Sequence, residues 1–188
     1  MVEQATSLRR RVRAELVREI TDVARRHLAA RGGAALSLRA VARDMGMASS
    51  ALYRYFPSRD HLLTALIVDA YDGLGSAVER AEAAVDRQEL VERFAAVGHA
   101  ARAWARTNPH EHALIYGIPV PGYAAPQDTI GPAGRVAVVL RDILVDARRQ
   151  GRLVEPPAPG ACMRLRPTWP ACARSSSPTS RSLRSGGR

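Results

Sequence analysis

The chain has 188 residues, of which 46% are hydrophobic, enough for one domain or two small ones with a buried core. Its formal net charge is +10, and all 28 basic residues are arginine. Residues 1–60 hold 12 arginines against 6 acidic residues, whereas residues 61–155 hold 10 against 12. This asymmetry is typical of a nucleic-acid-binding head on a body that does not bind nucleic acid, although a basic solvated helix face gives the same balance.

Several classes of protein find no support in the sequence. No segment has the roughly 20 apolar residues of a bilayer span, and acidic residues interrupt the arginine-rich N-terminus, so we expect a cytoplasmic protein. Cys162 and Cys172 lack the spacing and the further ligands of a metal site, which favours free thiols. His110 and His112 are not at the i, i+4 spacing of a zinc helix. No phosphate loop or nucleophile motif is present, so neither an enzyme nor a cofactor is predicted.

The first predicted helix follows a basic arm. Residues 1–8 are predicted to be loose, and four arginines within residues 9–13 form the arm. Apolar side chains recur at helical spacing over about residues 14–31, and Gly32-Gly33 ends the helix. His27 lies on this apolar stripe, and we interpret it as a packing residue rather than a ligand.

Residues 37–56 predict two short helices joined by a tight turn. Ser37 is a suitable N-cap for the first, because its hydroxyl can accept a hydrogen bond from an unpaired N–H of the first turn. Gly46 suits the left-handed conformation that ends a helix, and the second helix should begin at residues 48–49 and stop before Pro57. The apolar residues that these helices should bury are Leu38, Val41, Ala42, Met45, Leu52 and Phe56. The arrangement is a helix-turn-helix, which lays its second helix in the major groove of DNA.

The same stretch resembles the TetR-type bacterial transcription regulators. Their signature is Leu-Tyr-x-(His/Tyr)-Phe followed by Ser-(Lys/Arg)-(Asp/Glu)-x-Leu, matched here by Leu52, Tyr53, Tyr55, Phe56, Ser58, Arg59, Asp60 and Leu62. The resemblance covers roughly residues 14–75. It implies an all-α fold with a three-helix DNA-binding head and a helical ligand-binding and dimerisation domain. It also implies a homodimer that binds a palindromic operator in double-stranded DNA, usually as a repressor released by a small-molecule effector.

The helix-turn-helix supplies the predicted DNA contacts. The predicted DNA-binding residues are Ser37, Arg39, Ser49, Ser50, Tyr53, Arg54, Tyr55 and Arg59. The residues that should hold phosphates, and so fix the register of the protein on the duplex, are Tyr53, Tyr55 and Arg59. The end of the first of the two helices at Ser37 should do the same. The side chains best placed to reach base edges are Ser49, Ser50 and Arg54, and an arginine can donate two hydrogen bonds to guanine.

The remainder of the chain is predicted to be helical with one long interruption. Ser58 should cap a helix over about residues 59–84, followed by helices over 88–107 and 109–116. Residues 117–134 contain four prolines and four glycines and should form a surface loop or a cover over a cavity. Helical spacing resumes over residues 135–150.

A second resemblance concerns residues 104–117. They resemble the pattern Trp-Ala-x-x-x-Pro-x-x-(Tyr/His)-x-Leu-(Ile/Met)-(Phe/Tyr)-Gly in the ligand domain of a TetR-type subgroup. The matching residues are Trp104, Ala105, Pro109, His112, Leu114, Ile115, Tyr116 and Gly117. This resemblance implies an effector-binding and dimerisation domain, with predicted effector contacts at Phe94, Val97, Trp104 and Tyr116. Core packing is an equally good interpretation of Phe94 and Trp104.

These patterns predict three parts: a DNA-binding domain over residues 9–58, an effector-binding and dimerisation domain over 59–155, and an irregular tail over 156–188. The tail has six arginines, no acidic residue and no helical period, so it is either a frameshifted end or a disordered basic tail. It lacks the two long helices with which relatives usually dimerise, which leaves the dimer interface open. Two other functions also remain open: non-specific packaging of nucleic acid, and ligand binding without DNA binding.

Overall fold

The computed structural model describes residues 2–153, with side chains from Leu8 onward, and every regular element in that range is helical. The predicted all-α fold is therefore confirmed. The elements are α1 (Val2–Arg31), α2 (Leu38–Asp44), α3 (Ser49–Tyr53), α4 (Arg59–Ala83), α5 (Leu90–Thr107), α6 (Pro109–Tyr116) and α7 (Ile130–Arg149), with 3₁₀ turns at Gly33–Ala35 and Gln127–Thr129. None of these helices is long and apolar enough to cross a membrane. The predictions for residues 156–188, including Cys162 and Cys172, lie outside the described residues.

Helices α1, α2 and α3 and the start of α4 enclose the core of the head. Its buried side chains are Ile20, Val23, Ala24, Leu36, Leu38, Val41, Ala42, Leu52, Phe56, Leu62, Leu63, Leu66 and Ile67. This set contains the apolar residues predicted for the helix-turn-helix except Met45, which packs at the edge of the core. Gly46 has a φ of 65°, so the turn between α2 and α3 uses the left-handed conformation that its glycine predicts.

Helices α4, α5 and α7 form the body around a second core. The buried side chains are Leu74, Val78, Leu90, Val97 and Ile143. Helix α4 therefore contributes to both cores, with residues 62–67 in the head and residues 74–78 in the body. A rigid helix shared in this way makes the orientation of the head depend on the packing of the body.

Two arginines hold the three body helices together. Arg93 of α5 is 1% exposed, and its guanidinium binds Glu82 of α4 at 2.5 Å and Asp146 of α7 at 2.9 Å. Arg135 of α7 binds Glu79 of α4 at 2.6 Å. Opposite charges on both neighbouring helices offset the cost of burying the Arg93 guanidinium, and these ion pairs also fix which faces of the helices meet.

The proline-rich segment between α6 and α7 lies against the head. The Tyr123 hydroxyl is 2.9 Å from the Thr64 Oγ1 of α4, and Val120 packs beside Gly33 in the turn after α1. Most other residues of this segment are exposed. The segment is therefore a surface loop with two anchors on the head.

Several local predictions differ from the structure, and α5 begins at Leu90 rather than at residue 88. Helix α1 begins at Val2 rather than near residue 14, because residues 2–13 contain no glycine or proline to stop it. Helix α7 begins at Ile130 rather than at residue 135, because Pro132 falls in the first turn, where no backbone N–H is needed. The Ser37 hydroxyl does not cap α2, whereas Ser58 caps α4 as predicted by accepting a hydrogen bond from the His61 N–H at 3.3 Å.

Candidate nucleic-acid interface

Helix α3 divides its side chains between the core and the solvent. Leu52 is fully buried in the head core. Ser50, Tyr53 and Arg54 are exposed, Tyr53 to 41% in spite of its aromatic ring, and Ser49 is half-buried. The outer side of α3 therefore presents two hydroxyls and a guanidinium, groups that donate hydrogen bonds to phosphates and base edges.

Several predicted phosphate contacts line one surface cleft. The cleft has a volume of about 460 Å³ and lies between the starts of α2 and α4 and the end of α3. Its lining includes Ser37, Arg39, Tyr53 and Arg59, which are far apart in sequence. Tertiary structure thus places half of the predicted DNA-binding residues together, beside the exposed face of α3.

The guanidinium of Arg59 is occupied within the protein. It donates to the carbonyl oxygens of Gly33 at 2.8 Å, Ala34 at 3.3 Å and Leu36 at 3.2 Å. These carbonyls belong to the turn between α1 and α2, so Arg59 fixes the position from which α2 begins. The family motif places an arginine here but gives no sign of this role, because the three acceptors lie 23–26 residues earlier in the chain.

Tyr55 is the other predicted phosphate contact with an internal partner. Its ring is half-buried against the head core, and the Arg13 Cζ lies 5.1 Å from the ring centroid. A guanidinium over an aromatic face gains a cation–π attraction. The contact ties the N-terminal half of α1 to the residues that follow α3.

His27 has the packing role that its position on the apolar stripe predicts. It is 9% exposed, and its Nε2 lies 2.7 Å from the Asp44 Oδ2. The hydrogen bond from His27 lowers the pKa of the Asp44 carboxyl below its ordinary value. The pair joins the C-terminal ends of α1 and α2. Among the described residues, no group of histidine, cysteine and acidic side chains has the arrangement of a metal site.

The four predicted effector contacts do not converge. Val97 is buried in the body core, and Trp104 packs beside Gly73 of α4. Phe94 and Tyr116 are 59% and 56% exposed. An unforeseen open cleft of about 500 Å³ lies between α1 and the junction of α5 and α6, and its lining includes Arg26 and His110.

The head and body described above define a helical protein with a helix-turn-helix, and comparison with known proteins identifies its family. Residues 20–66 match the family model for bacterial regulatory proteins of the tetR family, and residues 94–172 match the tetracyclin repressor-like C-terminal domain. The chain therefore belongs to the TetR family. Both matching models describe parts of regulatory proteins, which agrees with the prediction that the chain is not an enzyme.

Individual relatives agree with this assignment. The chain is 46% identical over 154 residues to the HTH-type transcriptional regulators Rv1816 of Mycobacterium tuberculosis and Mb1846 of Mycobacterium bovis. The matched region is 80% of this chain and 66% of each relative, so the chain spans slightly less than two thirds of their length.

Solved structures share the fold. The protein SCO4313 has a TM-score of 0.65 and 42% identity, over 72% of this chain and 64% of that one. The TetR family transcriptional regulator PfmR from Thermus thermophilus has a TM-score of 0.58 over 73% of this chain and 75% of that one, at 24% identity, and supports the fold alone.

Proposed function

We propose that this protein is a sequence-specific DNA-binding transcriptional regulator, acting as a repressor that a small-molecule effector releases. One observation carries the DNA-binding part: α3 buries Leu52 and presents Ser50, Tyr53 and Arg54 to solvent beside the cleft that contains Arg39. A short helix with this division of faces fits the major groove. Ser49, Ser50 and Arg54 are the proposed base contacts, and Ser37, Arg39 and Tyr53 the proposed phosphate contacts.

The proposed operator is palindromic and the active species a homodimer. Two copies of α3 must then lie about 34–36 Å apart, or a multiple of that distance, to enter successive major grooves on one side of the duplex. The proposed domains are residues 9–58 for the head and 59–155 for the body. Because α4 continues from the end of the head into the body core, a change in body packing would alter this spacing.

The proposed effector acts through the contacts between body and head. Arg25 of α1 binds Asp69 of α4 at 2.8 Å and Glu111 of α6 at 3.0 Å, and Val120 of the loop packs beside Gly33. A ligand that moved α6 or the loop would therefore displace residues that contact α1 and the turn before α2.

Of the predicted effector contacts, Val97 and Trp104 face the body interior and remain our proposed interior contacts. Phe94 and Tyr116 would reach an effector only at the body surface.

We also propose that the body belongs to the subgroup marked by the pattern over residues 104–117. The pattern has a local physical basis in this chain. Trp104 packs against α4 where Gly73 leaves room, and Pro109 starts α6 at a position suited to proline. A side chain at Gly117 would meet the Ala113 carbonyl oxygen. These residues set the bend between α5 and α6 and the exit from α6.

Selection of bound duplexes from a random pool tests the proposal, followed by measurement of two head variants on the selected site. Arg54→Ala should relax preference at one base position and cost about 1–3 kcal/mol of binding free energy there.

Tyr53→Phe should weaken binding to all DNA sequences equally, by about 0.5–1.5 kcal/mol, because it removes one phosphate hydrogen bond. Recovery of no enriched sequence would refute sequence-specific binding, and an unchanged motif with Arg54→Ala would refute the role of that residue.

A further inference from the structure

The N-terminal part of α1 carries arginines on the same side as its core-facing residues. Ile20 is fully buried in the head and defines that side. Successive side chains of an α-helix are rotated by about 100° around its axis. Viewed along the axis of α1, Arg9 and Arg13 therefore point within about 20° of the direction of Ile20, and Arg10 points about 80° from it. Arg11 lies about 180° away, on the opposite side. The arginines at 9, 10 and 13, hereafter the arginine strip, therefore extend the core-facing side of α1 beyond the core.

The contact between Arg13 and Tyr55 places this strip beside α3. Tyr55 follows α3 by two residues, and the Arg13 Cζ lies 5.1 Å from the centroid of its ring. Arg9 lies one helical turn before Arg13, about 6 Å further along the axis of α1. Arg9 and Arg10 are exposed at this position.

The charge of the strip is not neutralised by the described side chains. The arginines and the histidine of the head that form ion pairs are Arg25, His27, Arg43 and Arg59. Among the described side chains of this part of α1, the acidic residues Glu15 and Glu19 lie about 100–140° from the Ile20 direction, away from the strip. Three cations on one exposed side of a helix attract a polyanion, and they have no internal role beyond the stacking of Arg13.

We propose that the arginine strip binds the phosphate backbone of duplex DNA next to the base pairs that α3 reads. This inference rests on the proposed function, because it presupposes that α3 faces the duplex. It adds a second element, outside the helix-turn-helix, to the DNA contacts. Arg9 and Arg10 contact phosphates directly, and stacking of Arg13 on Tyr55 fixes the direction in which α1 leaves the head.

A pair of charge-matched variants of the full chain tests the strip. Arg9→Ala with Arg10→Ala removes two charges from it, and Arg11→Ala with Arg18→Ala removes two from the opposite side of the same helix. All four residues are exposed, so thermal unfolding followed by circular dichroism should show equal stability for both variants. Affinity is then measured for the selected duplex and for a random-sequence duplex at a series of salt concentrations from about 50 mM to about 200 mM.

We expect the strip variant to reduce the slope of log affinity against log salt by about 3.6, since the proposed homodimer loses two phosphate contacts in each protomer and each contact contributes about 0.9. Its affinity at the lowest salt concentration should fall about tenfold or more on both duplexes. The control variant should change the slope by less than half as much. Equal losses of affinity and of slope in the two variants would overturn the proposal that the arginine strip binds DNA, because the change in net charge alone would then explain them.

The two proposals fail in different ways. If the protein bound random-sequence duplex but enriched no sequence from the pool, the proposed function would be overturned. The comparison of the two variants on the random-sequence duplex would still show whether the arginine strip binds the DNA backbone. Absence of binding to any duplex at the lowest salt concentration would overturn both.

Discussion

At the scale of single residues, the head depends on polar side chains that act within the protein. Arg59 holds three carbonyl oxygens of the turn between α1 and α2, and His27 holds Asp44 at the ends of the same two helices. Both interactions fix α2, and α2 in turn positions α3. Their loss would misplace α3, the helix that we propose reads DNA.

Replacement of Asp44 by asparagine should lower stability in a pH-dependent way. The pKa of Asp44 is lowered in the folded state, chiefly by its hydrogen bond with His27, so folding favours the ionised carboxylate. The stabilisation is therefore present above the unfolded-state pKa of aspartate, about 3.9, and is lost as the pH falls through the lower folded-state value. In urea titrations from about pH 7 to about pH 3, Asp44→Asn should be less stable than the unaltered chain at about pH 6, and the difference should shrink below about pH 4.

Glu19→Gln is the matched control, because Glu19 is an exposed carboxylate on α1. A difference for Asp44→Asn that stayed constant across this pH range would contradict the assignment to the carboxylate charge.

At the scale of elements, the contact between α4 and α7 depends on a glycine. The Arg135 side chain crosses α4 at Gly75, where an added Cβ would lie 2.7 Å from its Nε and 2.9 Å from its Cβ. The same guanidinium binds Asp72 at 2.7 Å, and its hydrogen bond lowers the pKa of Glu79. The glycine therefore allows one arginine to join successive turns of α4 to α7.

Gly75→Ala should destabilise the protein although alanine is the better helix former. The gain in helix propensity is about 1 kcal/mol, but displacing Arg135 should cost about 2–4 kcal/mol through overpacking and lost hydrogen bonds. The expected net loss is about 1–3 kcal/mol in chemical denaturation. Gly98→Ala on α5 is the control, since a Cβ there meets nothing within 4 Å, and it should stabilise by about 0.5–1 kcal/mol. Stabilisation by both substitutions would show that Arg135 moves aside freely.

At the scale of the whole molecule, one ionic cluster joins head and body. Arg25 of α1 contacts Asp22 on its own helix, Asp69 of α4 and Glu111 of α6. Burial raises the pKa of Asp69, against the opposing attraction of Arg25. The cluster lies beside the cleft of about 500 Å³ at the α5–α6 junction, so a molecule bound in that cleft would touch the same groups.

Glu111→Gln should loosen this junction. The Arg25 side chain is 34% exposed and that of Glu111 20%, so solvent screens the pair and its loss should cost about 0.5–1 kcal/mol. Thermal unfolding at low and high salt measures this, and the difference from the unaltered chain should decrease as salt increases. In a cycle with Arg25→Ala, the two substitutions should not be additive. Glu15→Gln, an exposed change on α1, should have no measurable effect, and an equal loss from it would contradict a specific contact.

The sequence by itself determined the elements and the class of protein. Apolar spacing, Gly46 and Pro57 define the helix-turn-helix, and their effects act within a few residues of one another. The bounds of α4 and α6 agree with the sequence to within one residue for the same reason. The Leu-Tyr-x-Tyr-Phe signature specified the family because it combines residues that pack α3 and the turn after it into the core with a residue that α3 exposes.

Only the tertiary structure decided what the charged and aromatic side chains contact. Arg59 and Arg13 are both arginines near the helix-turn-helix, yet one binds backbone carbonyls and the other stacks on Tyr55. Phe94 and Val97 lie three residues apart on α5, yet one is exposed and the other buried. Long side chains reach partners that are distant in sequence, and burial depends on which helices pack against each face. Neither property is encoded in local spacing, so both required the assembled fold.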